Sequence, residues 1–206
     1  LNIKYKKNEK NIGFGFNAIQ SIDLASGEFS WMIGDDDLIL PNTLLELDKI
    51  LKINNNIDYF FINSYSLHKS HLKALNRPLD IKLIDKNLLL PMSKLKANKT
   101  LPFWEVIDPK ISWDFLIGIF FSLFRTSKWK KFSNVIEKDK LKDLRPWSNF
   151  DNTCLHPKIL CNAFKNSNAF FCSKPLSINL TGVREWTSLY EFIEIVRIPE
   201  LLDYYK

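Results

Sequence analysis

The chain has 206 residues, of which 46% are hydrophobic and 14% aromatic, and a formal net charge of +6. This composition excludes a disordered chain and suits one large domain or two small ones with a sizeable core. The excess of lysine and arginine suits an anionic partner, without choosing among a nucleotide, a nucleic acid and an anionic lipid surface.

Residues 1–5 alternate weakly and are expected to form a short edge strand, followed by a polar loop over 6–10. Gly13 and Gly15 punctuate the chain before a helix over 16–25, in which Ile19, Ile22 and Leu24 recur at helical spacing. Ser26 and Gly27 supply its stop. An apolar strand is expected over 29–33. It ends at Gly34, and Asp35, Asp36 and Asp37 follow side by side. Leu38-Ile39-Leu40-Pro41 leads into a second helix that starts at Pro41-Asn42-Thr43, with Leu44, Leu47 and Leu51 on one face and Leu45 beside them. Residues 58–63, short, aromatic and bounded by turn formers, read as a buried strand. The strand–helix–strand alternation predicts an α/β fold with a largely parallel sheet.

From 64 to 109 the pattern weakens. Pro78, Pro91, Pro102 and Pro109 punctuate a long excursion with short helices. A core strand is expected over 118–124 after a lead-in over 111–116, followed by a short basic helix over 125–132 and a polar stretch over 133–146. Residues 150–157 lead into a helix containing Ile159, Leu160, Ala163 and Phe164. A strand over 169–172 and an extended edge over 175–180 follow, and a largely helical tail over 186–205 is broken or kinked near Pro199. No apolar run approaches the ~18 residues of a membrane-spanning helix. Cys154, Cys161 and Cys172 are odd in number, form no Cys-x-x-Cys and follow no visible secretory leader, so a reduced compartment is expected.

Three constellations carry chemistry. A strand that ends in adjacent carboxylates presents hard oxygen ligands, and Mg2+ typically takes one or two carboxylates together with substrate phosphates. An EF-hand needs an oxygen ligand and then glycine at the fifth and sixth loop positions. Counted from Asp35 these are Ile39 and Leu40, which excludes it. Second, Gly13-x-Gly15 before a helix lets backbone amides approach phosphate, although it lacks the third glycine of a dinucleotide fingerprint and the Gly-Lys-Ser/Thr of a P-loop. A plain turn and cap competes with that reading. Third, Arg125, Lys128, Lys130 and Lys131 beside Trp129 suit an anionic membrane face, against the alternative of a solvated basic helix.

Taken in order, Asn11-x-Gly13, Asn17, Ala25-x-Gly27-Glu28-Phe29, an apolar strand, Asp-Asp-Asp-Leu and Pro41 resemble the family 2 glycosyltransferases. The Trp-x-x-Gly-Asp-Asp-Asp form is most similar to the bacterial O-antigen branch, including abequosyltransferase-like enzymes. The contiguous resemblance covers residues 1 to about 63. It implies a mostly parallel, Rossmann-like sheet flanked by helices, of the glycosyltransferase A type, with the first strands lying upstream of Leu1. Three parts are expected: a donor-binding part over 1–63, an acceptor-side part over 64–182 and a helical tail over 183–206.

The resemblance also implies an inverting, metal-dependent transfer in surface polysaccharide synthesis, from a nucleotide-sugar donor to a glycan or lipid-linked acceptor. No nucleic-acid partner is implied, and the setting is cytoplasmic, peripheral at the inner membrane. Asp35, Asp36 and Asp37 would hold Mg2+ or Mn2+ on the donor diphosphate. Asn11, Gly13, Asn17, Gly34 and Asp35 would touch the donor. Many members have an acid where Gly34 stands. The general base for the acceptor hydroxyl falls on Asp151 or His156, with Asp114 beside Trp113 as a third candidate and Arg184-Glu185-Trp186 as a closing segment. Helix capping is the competing role for Asp151 and His156. The alternatives are a nucleotidyltransferase on a related fold and a non-catalytic glycan-binding relative.

Overall fold

The computed structural model describes residues 3–72, 79–108, 110–111, 116–182 and 188–206. Trp113, Asp114 and the segment 184–186 lie outside these. The chain is α/β, with a mixed seven-stranded sheet accompanied by helices. The strands are β1 (Phe29–Trp31), β2 (Leu38–Ile39), β3 (Tyr59–His68), β4 (Leu90–Pro91), β5 (Lys99–Pro102), β6 (Ser122–Arg125) and β7 (Asn168–Thr181). Their order is β1-β6-β3-β7-β2, with β4 beside β3 and β5 beside β7.

The sheet is mainly antiparallel, which corrects the expectation of a mostly parallel one. β3 and β7 run parallel, whereas β2–β7, β3–β4, β3–β6 and β5–β7 are antiparallel. The alternation over 29–63 gave the order of elements but not their neighbours. β6, from more than half-way along the chain, lies between β1 and β3, so no direct strand–helix–strand unit forms there.

The chain divides into two compact units. One takes in the described residues of Leu1–Ser30, Arg125–Ala163 and Ser188–Lys206, the other those of Trp31–Phe124 and Phe164–Thr187. These units interleave the three parts expected from the sequence.

The second unit is built on β3 and β7. Tyr59, Phe60, Phe61 and Ile62 are fully buried. Phe61 stacks between Phe121 at 4.8 Å and Phe171 at 5.0 Å. Such continuous apolar runs are what a strand covered on both faces requires. The two stretches read as a strand and an extended edge are one strand, β7, and it lies inside the sheet between β3 and β2. Pro175 would break a central ladder because it has no N–H to donate. The register resolves this: Ile62 pairs with Cys172, but Ser64 pairs with Ser177, so Pro175 falls in a bulge. Buried Asn63 fills the bulge. Its Nδ2 donates to the Ser173 carbonyl at 2.8 Å, and its Oδ1 accepts from the Ser64 and Ser93 amides at 2.9 and 3.1 Å.

Helix α1 (Gly13–Leu24) starts earlier than expected, and α2 (Thr43–Ile53) starts where Pro41-Asn42-Thr43 placed it. Leu38 and Ile39 are strand residues because they pair with Ile178 and Ser177. The buried face of α2 carries Thr43 and Leu47, while Leu44 and Leu45 are exposed. Thr43 turns inward because its Oγ1 donates to the Leu176 carbonyl at 2.6 Å. No strand forms over residues 3–7, where Ile3 and Tyr5 are exposed. Residues Ile119–Phe121, expected in the core strand, form a 3-10 turn instead, and the strand is confined to β6.

In the first unit, the basic segment is helix α4 (Thr126–Phe132), after α3 (Phe103–Val106) in the other unit. Helices α5 (Phe150–Thr153) and α6 (Leu155–Phe164) come next. The tail is helical, as expected: α7 (Tyr190–Phe192), a π-turn over Ile193–Arg197 and α8 (Ile198–Tyr205), which carries Pro199 in its first turn. Buried Arg197 ties it down by donating from Nε and Nη2 to the Trp147 carbonyl at 3.0 and 2.7 Å.

The three cysteines are free and buried. Burial pushes the Cys154 thiol up to about 12 and the Cys172 thiol to about 11. A raised native value means that the unfolded chain loses these protons first. Stability is therefore expected to hold below pH ~8.5 and to fall as pH rises from there towards 11, as urea titrations across that range will read. Replacing Asn63 by Ala orphans two buried amides and a carbonyl. It is expected to cost about 3 kcal/mol in urea unfolding.

Candidate functional site

The acidic turn grows from β1. Trp31 pins the strand's end by donating from Nε1 to the Phe120 carbonyl at 2.7 Å. The chain then turns, with the Asp37 amide donating to the Gly34 carbonyl at 3.2 Å, and enters β2. Asp35 is exposed, and Asp36 and Asp37 are half-buried. The β2–β7 register, Leu38 opposite Ile178, brings Asp37 opposite Asn179. Asn179 is 3% exposed, and its Nδ2 donates to Asp37 Oδ1 at 2.7 Å. The Gly34 amide donates to the other oxygen, Oδ2, at 3.3 Å.

Gly34 has a steric role. A Cβ at this position would stand 2.5 Å from Asp36 Oδ1 and 3.2 Å from Asp37 Oδ2. Oxygens from two carboxylates therefore share the space beside its α-carbon, and any side chain at residue 34 would displace them. This is the physical counterpart of the departure noted at Gly34: an acid there would contest that space.

These residues fit a hard divalent cation. They supply carboxylate oxygens from two neighbouring residues, one of them oriented by an amide, as ligating carboxylates commonly are. Among the described residues no three His, Cys, Asp or Glu side chains gather as a metal site. The remaining ligands would come from substrate phosphate and water, the usual pattern for Mg2+.

The other candidates belong to the first unit. Asn11, Gly13 and Asn17 do come together. They line an open hollow of about 410 Å³ with Asn8, Lys10 and Phe14 at the start of α1. Asn11 Oδ1 accepts from the Gly13 amide at 2.8 Å, and Gly13 takes a φ of +78° that favours glycine. Gly15 is buried, and a Cβ there would stand 2.8 Å from Leu141 Cδ2 and 3.3 Å from Leu155 Cδ1. The second glycine of the Gly-x-Gly pair thus makes room for packing.

Asp151 lies inside α5, and the capping role belongs to Asn149, whose side chain accepts from the Asn152 amide. Asp151 is 4% exposed. Its Oδ2 accepts from the Glu137 amide at 2.6 Å, and its Oδ1 pairs with Lys158 Nζ at 2.7 Å. Lys158 also sits over the Phe150 and Tyr204 rings. His156 is buried in α6, edge-on to Phe14. In the basic segment, Trp129 is 1% exposed and belongs to the core. Lys130 donates to the Asp23 and Ala25 carbonyls at the end of α1, and Arg125 pairs with Glu28. Among the described residues no helix is long and apolar enough to cross a membrane.

Asn179 and Lys158 escaped the sequence reading. Asn179 stands in a polar–apolar alternation typical of a strand, and nothing local announces a partner 142 residues away. Lys158 lies seven residues from Asp151, a separation of about 10 Å along one continuous helix, and the two meet because the chain breaks between α5 and α6.

Comparison of the chain with models of known protein families and with curated proteins found no match.

Removing the Lys158 ammonium leaves Asp151 buried without its cation. Lys158→Met is expected to lower stability by about 3 kcal/mol at pH 7. Urea unfolding of the parent chain and of Lys158→Met at pH 7 will show the loss.

Proposed function

We propose that the chain is part of a metal-dependent, inverting glycosyltransferase that moves a sugar from a nucleotide-sugar donor to a glycan or lipid-linked acceptor. The observation that carries this reading is the pair of oxygens beside Gly34, from Asp36 and Asp37, at the end of a short strand and anchored through Asn179. In the ordered motif string that resembles the family 2 enzymes, this turn occupies the place of the diphosphate–metal motif. The glycosyltransferase A-type architecture and the bacterial surface-polysaccharide setting belong to the same proposal.

In the reaction, the acceptor hydroxyl oxygen bonds to the anomeric carbon as that carbon's bond to the diphosphate oxygen breaks. The hydroxyl proton passes to a base, and the nucleoside diphosphate leaves. A divalent cation, Mg2+ or Mn2+, supplies positive charge against the charge that develops on the leaving diphosphate. Asp36 and Asp37 would hold it, and exposed Asp35 is placed to meet solvent-side groups of the donor. Asn11, Gly13, Asn17 and Gly34 remain the donor-contact residues of the proposal. Asp151 and His156 remain its base candidates, although each Asp151 oxygen already has a partner. The membrane-surface role draws less support, because Trp129 is in the core.

A screen of nucleotide-sugar donors on the full-length protein, with Mn2+ and after chelation, tests this by the nucleoside diphosphate released. Asp36→Asn and Asp37→Asn are each expected to cut turnover by about 100-fold or more, the scale of losing a group that stabilises transition-state charge. Asp35→Asn is expected to cost less. Turnover that survives chelation and both substitutions would overturn the proposal.

A further inference from the structure

We infer that Asn179 is the positioning residue of the acidic turn, the group that decides which way the Asp37 carboxylate faces. This rests on reading residues 34–37 as a diphosphate–metal site and extends it to a residue remote in sequence. Asp37 hangs from a turn and a two-residue strand, too little structure to fix a side-chain rotamer alone. Asn179 is fixed on both sides. Its own strand pairs with β3, where it stands opposite Ser66, and with β2, where the register sets it opposite Asp37.

The division of the carboxylate follows. The Asn179 amide takes Oδ1, and Oδ2 then faces the Gly34 amide, which donates to it, on the side of the Gly34 α-carbon where Asp36 Oδ1 also lies. A hydrogen bond of 2.7 Å to an ionised oxygen is of the strong, charge-assisted kind. It comes from a neutral group, so it orients the carboxylate without bringing a competing cation. Partners of this kind typically govern metal affinity by about 10–100-fold.

Neighbouring Ser177 supplies the control. It lies two residues along the same strand, is equally buried and donates to Ser64 Oγ at 3.0 Å. Asn179→Ala and Ser177→Ala thus each delete one side-chain hydrogen bond made by a buried residue of β7, and Asn179 alone of the two bonds the acidic turn. Mn2+ is titrated into the 206-residue chain with and without inorganic pyrophosphate. Water-proton relaxation, which responds to Mn2+ immobilised on a macromolecule, reports binding, and circular dichroism and thermal melting are recorded in parallel.

Asn179→Ala is expected to weaken Mn2+ binding by about 10–100-fold with its circular dichroism retained, while Ser177→Ala stays within a few-fold of the parent chain. Asn179→Ser, whose hydroxyl is one bond shorter than the amide, is expected to behave as the alanine variant does, and it serves if alanine impairs folding. Parent-like affinity in folded Asn179→Ala or Asn179→Ser, or an equal loss in Ser177→Ala, would overturn the positioning role and leave the metal reading standing. If the parent chain itself immobilises no Mn2+ under either condition, the metal reading falls and the positioning role falls with it.

Discussion

The parallel pairing of β3 with β7 is the constraint on which the second unit depends. It joins segments 110 residues apart at the Asn63–Ser173 bond, and closing so long a loop carries an entropic cost that only extensive burial offsets. The fully buried aromatic run of β3, stacked with Phe121 and Phe171, provides that burial. The pairing is also interrupted. Between Ile62 and Ser64 the β3 chain advances two residues while β7 advances from Cys172 to Ser177. The three extra residues of β7 are an odd number. Side chains alternate along a strand, so an odd insertion exchanges the faces that its later residues occupy. Ser177 and Asn179 therefore share a face with the β3 residues they pair with, Ser64 and Ser66, where an unbroken register would have put their neighbours.

The geometry of the acidic turn follows from this shift. Register with β2 then carries the polar face of β7 to Asp37, and the Leu176 carbonyl, accepting from the Leu40 amide and the Thr43 hydroxyl, fastens the far end of the turn. A turn with so little regular structure of its own is held by a strand from the other end of the chain. The buried polar residues here are satisfied in pairs, Asn63 with backbone groups, Ser64 with Ser177, and Asn179 with Asp37. That is the condition under which polar groups in a core specify one arrangement.

What the sequence made legible was local. The apolar run ending in Gly34 and three aspartates, the buried strand after Asp58, the basic helix after Arg125 and the helical tail each carry their signal within a few residues, and each is present. Strand neighbours were not legible, because pairing partners lie far apart and alternation of strand and helix is compatible with several orders. Leu44 and Leu45 misled for a related reason. Both fit a helical stripe, but the face of α2 was set by the Thr43 hydroxyl finding a carbonyl on β7. Pro175 argued against a central strand until the bulge gave it a place without a ladder bond. At the site, the aspartates were visible and their orientation was not, since Asn179 and Gly34 act through contacts that only the fold creates.

Two aspartates singled out by sequence, Asp37 and Asp151, meet different partners, and the difference separates their chemistry. Asp151 is nearly fully buried beside the Lys158 ammonium, with Phe150 and Tyr204 around the cation. An ion pair there offsets the cost of removing two charges from water and ties α5 to α6. Such a carboxylate is fitted to hold structure, and taking up a substrate proton would require it to give up part of that pair. Asp37 is half-buried, and what Asn179 gives it is direction rather than charge. Its other oxygen accepts from the Gly34 amide and lies beside the Gly34 α-carbon, as an Asp36 oxygen does. The same residue type thus stands in two settings, one paired with an ammonium in a core and one bonded by an amide at a turn.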